Sequence, residues 1–292
     1  VIKADPAFVG RLVKAANGII GYGRRPVASV HDALTVLGMP AVRNMALGFS
    51  LLTHYRTGAC EGFDYGRYWA ASLLSAVAMQ SIALRTRAAA ADETYCLGLL
   101  ARVGEIALAT LYPHDYSRIV KESAGQDISR RLELESRAFA MTNAELGAAM
   151  LGDWGLPRVF TDAAYSVAAG AESQHSESSR EFVITQSLAL SHQLADYCLA
   201  HEQDRPRSKH RLMIAASRLS FDEEATATLS NGVAREWLEW GALLSIHAEK
   251  LPPFEQVKAD AQEQSAAPEA EDGEADTAPT RALVVEANAE AC

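Results

Sequence analysis

The sequence predicts an all-α fold, and three observations lead to that prediction. Hydrophobic residues make up 49% of the 292 residues and aromatic residues only 7%, so the core must be mainly Ala, Leu, Val and Ile, a composition that favours helices over sheets. No stretch before residue 250 shows the sustained alternation of a half-buried strand. Tyr95–Pro113 is apolar on nearly all sides, with Arg102 and Glu105 as its only charges. We therefore expect this stretch to be the central helix, wrapped by the others.

Capping and breaking residues set the bounds of the other helices. Asp5-Pro6 is typical of a helix start and Asn17-Gly18 of a helix stop. Thr142 and Glu145 have the spacing of a capping box, and the helix that they begin should end at Gly155-Leu156-Pro157. Apolar residues at helical spacing predict helices within residues 6–17, 30–37, 40–49, 63–86, 95–113, 119–139, 142–155, 158–168, 182–201 and 222–248.

The chain changes character after Pro252-Pro253. Residues 1–252 are expected to form one helical domain, with a small subdomain of the first fifty residues as the alternative. Residues 253–280 are rich in Ala, Glu, Asp, Gln and Pro, which predicts a flexible acidic linker. Residues 281–292 begin with a short apolar run, and a lone strand is not stable. This run resembles the opening strand of a response-regulator receiver domain, so we expect it to begin a truncated following domain.

Charge, cysteine content and hydropathy restrict the class of protein. The net charge is −10, which argues against broad phosphate-driven binding of nucleic acid. The four cysteines show no metal-binding spacing and are expected to be reduced thiols. No signal peptide and no run of eighteen apolar residues is visible. We therefore expect a cytoplasmic protein that does not enter the membrane. Because the chain opens without Met and within helical sequence, we expect it to be a fragment of a longer protein.

Several segments, in order, resemble the HDOD (HD-related output domain) family of bacterial signalling proteins. The segments that carry the resemblance are Asp5-Pro6, Arg11-Leu12, Ala16-Asn17, Gly21–Ser29, Leu37-Gly38, Arg43-Asn44, Tyr68-Trp69, Gly98-Leu99-Leu100, Gly104, Ala144–Gly147 and Trp154–Pro157. The resemblance covers roughly residues 1–250. It implies an HD-like helical bundle of about 10–13 helices, related to the HD metal-dependent phosphohydrolases.

The same resemblance implies that the metal ligands of the HD enzymes are missing. Those enzymes hold a divalent ion with His and Asp side chains, and the ion activates a water molecule. The positions that would carry the ligands are Ala71, Ala101, Arg102, Asn143, Val167 and Ala168. Alanine and valine have no lone pair for a metal, and Arg102 would repel one. We therefore expect no metal, no cofactor and no catalytic residue.

Other residues are candidates for contact with a ligand or a partner. Arg24 and Arg25, with Arg11, Lys14 and Arg43 near them in sequence and Tyr22 beside them, could form a basic patch, although a solvated loop is the simpler interpretation. The candidate contact residues are Arg24, Arg25, Arg43, Trp69 and Arg102.

Two further pairs are open to two interpretations each. His192 and Asp196 are one helical turn apart and could place two ligands on one face, but the polar edge of an amphipathic helix is the simpler interpretation. Trp237 and Trp240 are expected to cover the edge of the core, with a partner-binding surface as the alternative.

These inferences predict a bacterial signal-transduction module without catalysis. It would act by binding a protein partner or its own C-terminal receiver or output domain, with two-component and cyclic di-GMP signalling as the context that the resemblance implies. Nucleic acid is not an expected partner. The alternatives are a residual HD-type phosphohydrolase, and a sensor that binds a nucleotide or another small ligand in the old pocket.

Overall fold

All of the regular secondary structure in the described part of the chain is helical, as the sequence predicts. The computed structural model describes residues 6–20, 26–171, 175–177 and 179–258. Within these ranges there are twelve α-helices, two short 3-10 helices and no strand. The helices are α1 (Pro6–Ile20), α2 (Val30–His54), α3 (Tyr65–Thr86), α4 (Ala91–Leu100), α5 (Val103–Leu111), α6 (Pro113–Glu122), α7 (Ile128–Phe139), α8 (Asn143–Asp153), α9 (Arg158–Ala168), α10 (Arg180–Cys198), α11 (Arg205–Ser217) and α12 (Glu223–Leu244). The 3-10 helices are Glu202–Asp204 and Phe254–Gln256.

Helices α3 and α4 lie at the centre of the fold. Helix α3 packs against α4, α10 and α12, and α4 also contacts α1 and α2. Most of the side chains of α3 are buried, including Trp69, Leu73, Leu74 and Val77. A helix that is apolar on most sides requires neighbours on most sides, and this arrangement provides them.

The stretch expected to be one central helix is two helices. Helix α4 ends at Leu100 and α5 begins at Val103, because Arg102 leaves the helical conformation with φ −100° and ψ 15°. By length and composition the joined stretch Ala91–Leu111 could cross a membrane, but 78% of its most apolar window is buried inside the protein. We therefore assign Ala91–Leu111 to the hydrophobic core of the protein. The break puts the Arg102 side chain beside the first turn of α5, where Glu105 lies.

Two glycines allow the central helices to approach their neighbours closely. A Cβ on Gly98 would lie 2.5 Å from the Ser75 carbonyl oxygen, where α4 crosses α3. A Cβ on Gly104 would lie 1.9 Å from the Asn143 carbonyl oxygen, where α5 crosses α8. Real Cβ atoms do not come this near a backbone atom, so both crossings depend on the absence of a side chain.

Several local predictions are confirmed at residue level. Thr142 and Glu145 form the capping box, since each side chain accepts from the other residue's backbone N–H. Gly155 follows α8 with φ +80°, and the Leu156 N–H donates to the Leu151 carbonyl, which is the helix ending expected there. Gly38 also has a positive φ, +75°, and bends α2 at the point where the sequence predicts one helix to end.

Other predictions were wrong. Helix α1 continues to Ile20, past the stop predicted at Asn17-Gly18. The Asn17 side chain does not end the helix, because it pairs with the backbone of Val27: its amide donates to the Val27 carbonyl (3.0 Å) and its oxygen accepts from the Val27 N–H (2.7 Å). Helix α11 was not predicted.

The packed body also continues beyond residue 252. Phe254 is 1% exposed, and its N–H donates to the Asn231 Oδ1. The buried Lys209 ammonium donates to the carbonyls of Phe254 and Val257. The helices belong to one compact unit that reaches residue 259. The rest of the predicted linker and the predicted strand lie outside the described residues, and both stay predictions.

Burial settles one open alternative and agrees with the expectation for three of the cysteines. Trp237 and Trp240 are each 2% exposed, so they belong to the core and the partner-surface alternative was wrong. Cys60, Cys96 and Cys198 are buried free thiols, as expected, while Cys292 lies outside the described residues.

Candidate functional site

A cleft of about 930 Å³ opens on the body. One wall is the face of α10 from Phe182 to Asp196. The floor comes from α3, from the break between α4 and α5, from α7, and from the first residue of α8. The end of α9 and the residues after α11 complete it.

A network of two arginines and two glutamates, with Glu135 fully buried and the other three side chains partly buried, stabilises the cleft floor. Arg102 donates to Glu105 through Nε (2.7 Å) and Nη2 (3.1 Å). Arg131 of α7 donates to Glu135 (3.1 Å) and to Glu105 (3.4 Å), and also to the hydroxyl of Tyr116. Each buried charge therefore has an opposite charge within hydrogen-bond distance, as buried charges require.

Glu135 connects this network to the N-terminus of α8. Its carboxylate accepts from the backbone N–H of Asn143 (2.7 Å) and from the Asn143 side-chain amide (2.8 Å). The side chain of Glu135 is 0% exposed. A carboxylate at this place stabilises the free N–H groups and the positive end of the helix dipole.

The network changes the pKa values of its members. Burial by itself would raise the pKa of Glu105, but Arg102 and Arg131 more than offset burial and lower that pKa to about 2. For Arg102, burial opposes the charged form while Glu105 stabilises it, and the net effect raises the pKa. Both side chains therefore stay charged throughout the physiological range.

The α10 wall carries polar groups without partners. Nε2 of His192 and Oε1 of Gln193 are buried and have no hydrogen-bond partner among the described residues. Burial, helped by the nearby Arg102, lowers the pKa of His192 to about 3, so its ring is neutral. Burial raises the pKa of Asp196, against the lowering effects of Arg102 and Arg67. Unpartnered buried polar atoms in native proteins usually face water or a ligand.

The neutral His192 predicts a specific pH dependence of stability. The folded pKa is below the unfolded value of 6.5, so the unfolded chain takes up a proton first as the pH falls. The contribution of His192 to the free energy of unfolding is therefore fully present above about pH 6.5 and is lost progressively as the pH falls towards 3. Between pH 7.5 and pH 5 the loss should be about 1–2 kcal/mol.

Urea unfolding of the wild type and of His192→Gln at both pH values measures this contribution. Glutamine is neutral at both pH values. The loss of unfolding free energy between pH 7.5 and pH 5 should therefore be smaller in the variant than in the wild type, by about 1–2 kcal/mol. An equal loss in the two proteins would show that His192 is protonated in the folded state at pH 5.

The positions that the resemblance marks as former metal ligands come together in this cleft. Ala71, Arg102, Asn143, Val167 and Ala168 all line it. Ala101 does not line it, although it precedes Arg102 and is 5% exposed.

Sequence reasoning missed three residues that line the cleft and one that is buried next to it. The three are Glu105 as a partner of Arg102, Arg131 and Gln193, and the buried one is Glu135, which binds Arg131. For Arg131 and Glu135 the signal was their spacing of four residues on one helix, which is common on any solvated surface.

The candidate contact residues do not form one surface. Arg24 and Arg25 lie outside the described residues. Trp69 is 3% exposed and its indole N–H donates to the Tyr55 carbonyl, so its side chain packs in the core, and its contact role stays a prediction. Arg43 donates to the Trp154 carbonyl at the end of α8. Of the three candidates that the structure describes, Arg43, Trp69 and Arg102, only Arg102 lines the cleft.

The described members of the predicted basic patch are also engaged elsewhere. Lys14 forms an ion pair with Glu239 of α12. Arg11 is 9% exposed and lies over the ring of Phe49. Neither is a free cation on a shared surface.

The residues present in the cleft do not fit a divalent metal. Ala71, Val167 and Ala168 offer no donor atom, and Arg102 brings a positive charge. The carboxylate of Glu105 is held by two guanidinium groups. Among the described residues, no group of three or more His, Cys, Asp or Glu side chains could hold a metal ion.

Comparison with known proteins adds a family match and structural neighbours. The model of the HDOD domain family matches residues 1–169. The crystal structure of the MmoQ response regulator from Methylococcus capsulatus str. Bath is 39% identical, with a TM-score of 0.55, and the alignment covers 78% of this chain and 86% of that one. No curated protein matches the chain.

A second solved structure is similar in fold. It is an HDOD domain protein of unknown function from Geobacter sulfurreducens, 20% identical with a TM-score of 0.56, and the alignment covers 84% of this chain and 83% of that one.

Proposed function

The chain belongs to the HDOD family, and from this premise we propose that it is a bacterial signal-transduction module that works without catalysis. The family match and the similarity to a response regulator support the signalling role. The observation that carries the non-catalytic part is Arg102, a cation held by Glu105 at the position where the family resemblance expects a metal ligand.

The physical reason is the charge of the cleft. An HD-type reaction needs an ion that lowers the pKa of a bound water. Here a guanidinium is fixed in the floor by two hydrogen bonds from Arg102 to Glu105, and the carboxylates of the network already have partners. The neighbouring alanine and valine side chains contribute no replacement ligand.

Metal analysis and a phosphodiesterase assay on the purified protein test this proposal. We expect substoichiometric divalent metal after incubation with Mn²⁺ and dialysis, and no hydrolysis of a generic phosphodiester above the rate with buffer. A matched variant, Arg102→Ala, should behave in the same way, because removing the cation does not create ligands. Stoichiometric metal together with turnover in the wild type would overturn the proposal.

The output of the module is proposed to be a contact with a protein. The packed body continues to Val257 through the contacts of Lys209, so the position where residue 258 leaves the body is fixed. An acidic linker to residue 280 and a receiver-like domain from residue 281 would place an output domain after this point. Two-component or cyclic di-GMP signalling in the cytoplasm is the setting that we infer for it.

A second candidate function is favoured by a specific observation. The buried Nε2 of His192 and Oε1 of Gln193 lack partners and lie on residues that line a cleft of about 930 Å³. A purely structural cleft gains nothing from such atoms, since an unpartnered buried polar group costs about 1–3 kcal/mol. The candidate is a sensor that binds a small ligand in this cleft and passes the bound state to a partner.

A further inference from the structure

We propose that the cleft binds a nucleoside monophosphate, with the phosphate at the guanidinium groups of Arg102 and Arg131 and the base against α10. The inference rests on the sensor function and names its ligand. Three properties of the cleft lead to it: the free edges of the two guanidinium groups, the mixed apolar and acceptor character of the α10 wall, and the balance of charge.

The guanidinium groups of Arg102 and Arg131 are fixed but incompletely used. Arg102 uses Nε and Nη2 for Glu105, and its plane lies near the ring of Tyr68, 5.9 Å from the ring centre. Arg131 uses Nε for Glu135 and Nη2 for Glu105 and Tyr116. Neither Nη1 makes a hydrogen bond within the described chain, and both residues line the cleft. Guanidinium groups held in place and open on one edge are typical binders of phosphate oxygens.

The α10 wall suits a heterocyclic base. Phe182 on this wall and Val167 at the end of α9 provide apolar lining, and Phe182 is only half-buried, so its ring is available for stacking. Further along α10, Gln193 Oε1 and the carboxylate of Asp196 are acceptors. An exocyclic amino group and a ring N–H on a base are the complementary donors.

The charge balance selects a ligand with a single phosphate. Six charged side chains line the cleft: Arg102, Arg131, Arg218, Glu105, Glu177 and Asp196. Three positive and three negative charges cancel, so a ligand with many negative charges is not attracted. A volume of about 930 Å³ is at the upper end of pockets that hold molecules of this size, about 300–1,000 Å³.

Isothermal titration of the full chain tests the proposal. The probes are AMP, GMP, CMP and UMP, with the matching nucleosides, inorganic phosphate and ATP as comparisons. We expect at least one monophosphate to bind with a Kd below about 1 mM. The same monophosphate should bind at least about tenfold more tightly than its nucleoside, inorganic phosphate or ATP. The proposal is wrong if no monophosphate binds at about 10 mM, which is roughly ten times the highest Kd expected. It is also wrong if ATP or inorganic phosphate binds as tightly as the best monophosphate.

Variants assign the two ends of the ligand. Asp196→Asn should lower the affinity for the best monophosphate and the affinity for its nucleoside by the same factor, about tenfold. Arg102→Lys keeps a charge for Glu105 but loses the open edge, so it should reduce the affinity for the monophosphate to that for the nucleoside. Glu181→Ala is the matched control, since Glu181 is exposed on α10 and does not line the cleft.

Thermal unfolding separates a loss of folding from a loss of ligand binding in these variants. Thermal unfolding of each variant shows whether it folds, and Asp196→Asn is isosteric, so the proposal stays testable if Arg102→Lys does not fold. Binding that neither folded variant changes would contradict the proposed site. A failure of every monophosphate, together with an unchanged result in the metal and phosphodiesterase assays, would overturn this inference and leave the non-catalytic signalling function standing.

Discussion

Gly104→Ala should destabilise the protein by about 3 kcal/mol, at the upper end of the usual cost of overpacking. The new methyl group would lie 1.9 Å from the carbonyl oxygen of Asn143. Neither backbone can yield as a flexible side chain would, so α5 and α8 must separate. Separation also moves the N–H of Asn143 away from Glu135, its partner at 2.7 Å. The free energy of unfolding, from urea titration followed by circular dichroism, measures the effect.

Gly152→Ala is the matched control for this substitution. Gly152 lies in α8, one of the same two helices, and a Cβ there meets no atom within 4 Å. Alanine is favoured over glycine within a helix by about 1 kcal/mol, so this variant should be slightly more stable than the wild type. Equal effects of the two substitutions would show that the approach of α5 to α8 is not as close as described.

Glu135→Gln should cost about 3 kcal/mol, because it removes one charge from a buried network and leaves its partner. Arg131 would keep only Glu105, at 3.4 Å, as an anionic partner. The two hydrogen bonds from Asn143 would lose their charged acceptor, and bonds to charged groups are about twice as strong as neutral ones. We expect a lower urea midpoint with an unchanged slope.

The control for this prediction lies two residues away on the same helix. Glu133 forms ion pairs with Arg130 and Arg137, but it is exposed. Its pairs are screened by water and salt. Glu133→Gln should therefore shift the midpoint much less than Glu135→Gln. If the two variants lose the same stability, burial of the network is not what makes Glu135 important.

Much of the fold could be predicted because its signals are local. The capping box of Thr142 and Glu145, the stop at Gly155 and the bend at Gly38 depend on a few neighbouring residues whose side-chain and backbone preferences are known. Asn17 shows the limit of this reasoning. Its side chain pairs with Val27 across a loop, and a bond over ten residues overrides the tendency of Asn-Gly to end a helix.

The cleft was less predictable, because it is assembled from distant segments. The family resemblance marked positions in α3, in the break between α4 and α5, in α8 and in α9, and five of the six marked residues line one cavity. The contacts that give the cavity its charge could not be found in this way. The pairing of Arg131 with Glu105 joins residues 26 positions apart, and nothing in the sequence near either residue indicates the other.

The Arg102–Glu105 pair also restricts how this chain could change over evolutionary time. A single replacement of Arg102 by Asp would place a second carboxylate next to Glu105 in a largely buried place. Arg131 would then be the one guanidinium of the network left to balance three carboxylates, the new Asp, Glu105 and Glu135. Like charges in such a place disfavour ionisation and destabilise the fold. Acquisition of a metal-binding sequence would therefore require compensating changes at Glu105 or Arg131 before, or together with, the change at Arg102. Electrostatics therefore restricts the order in which such mutations can accumulate at this place.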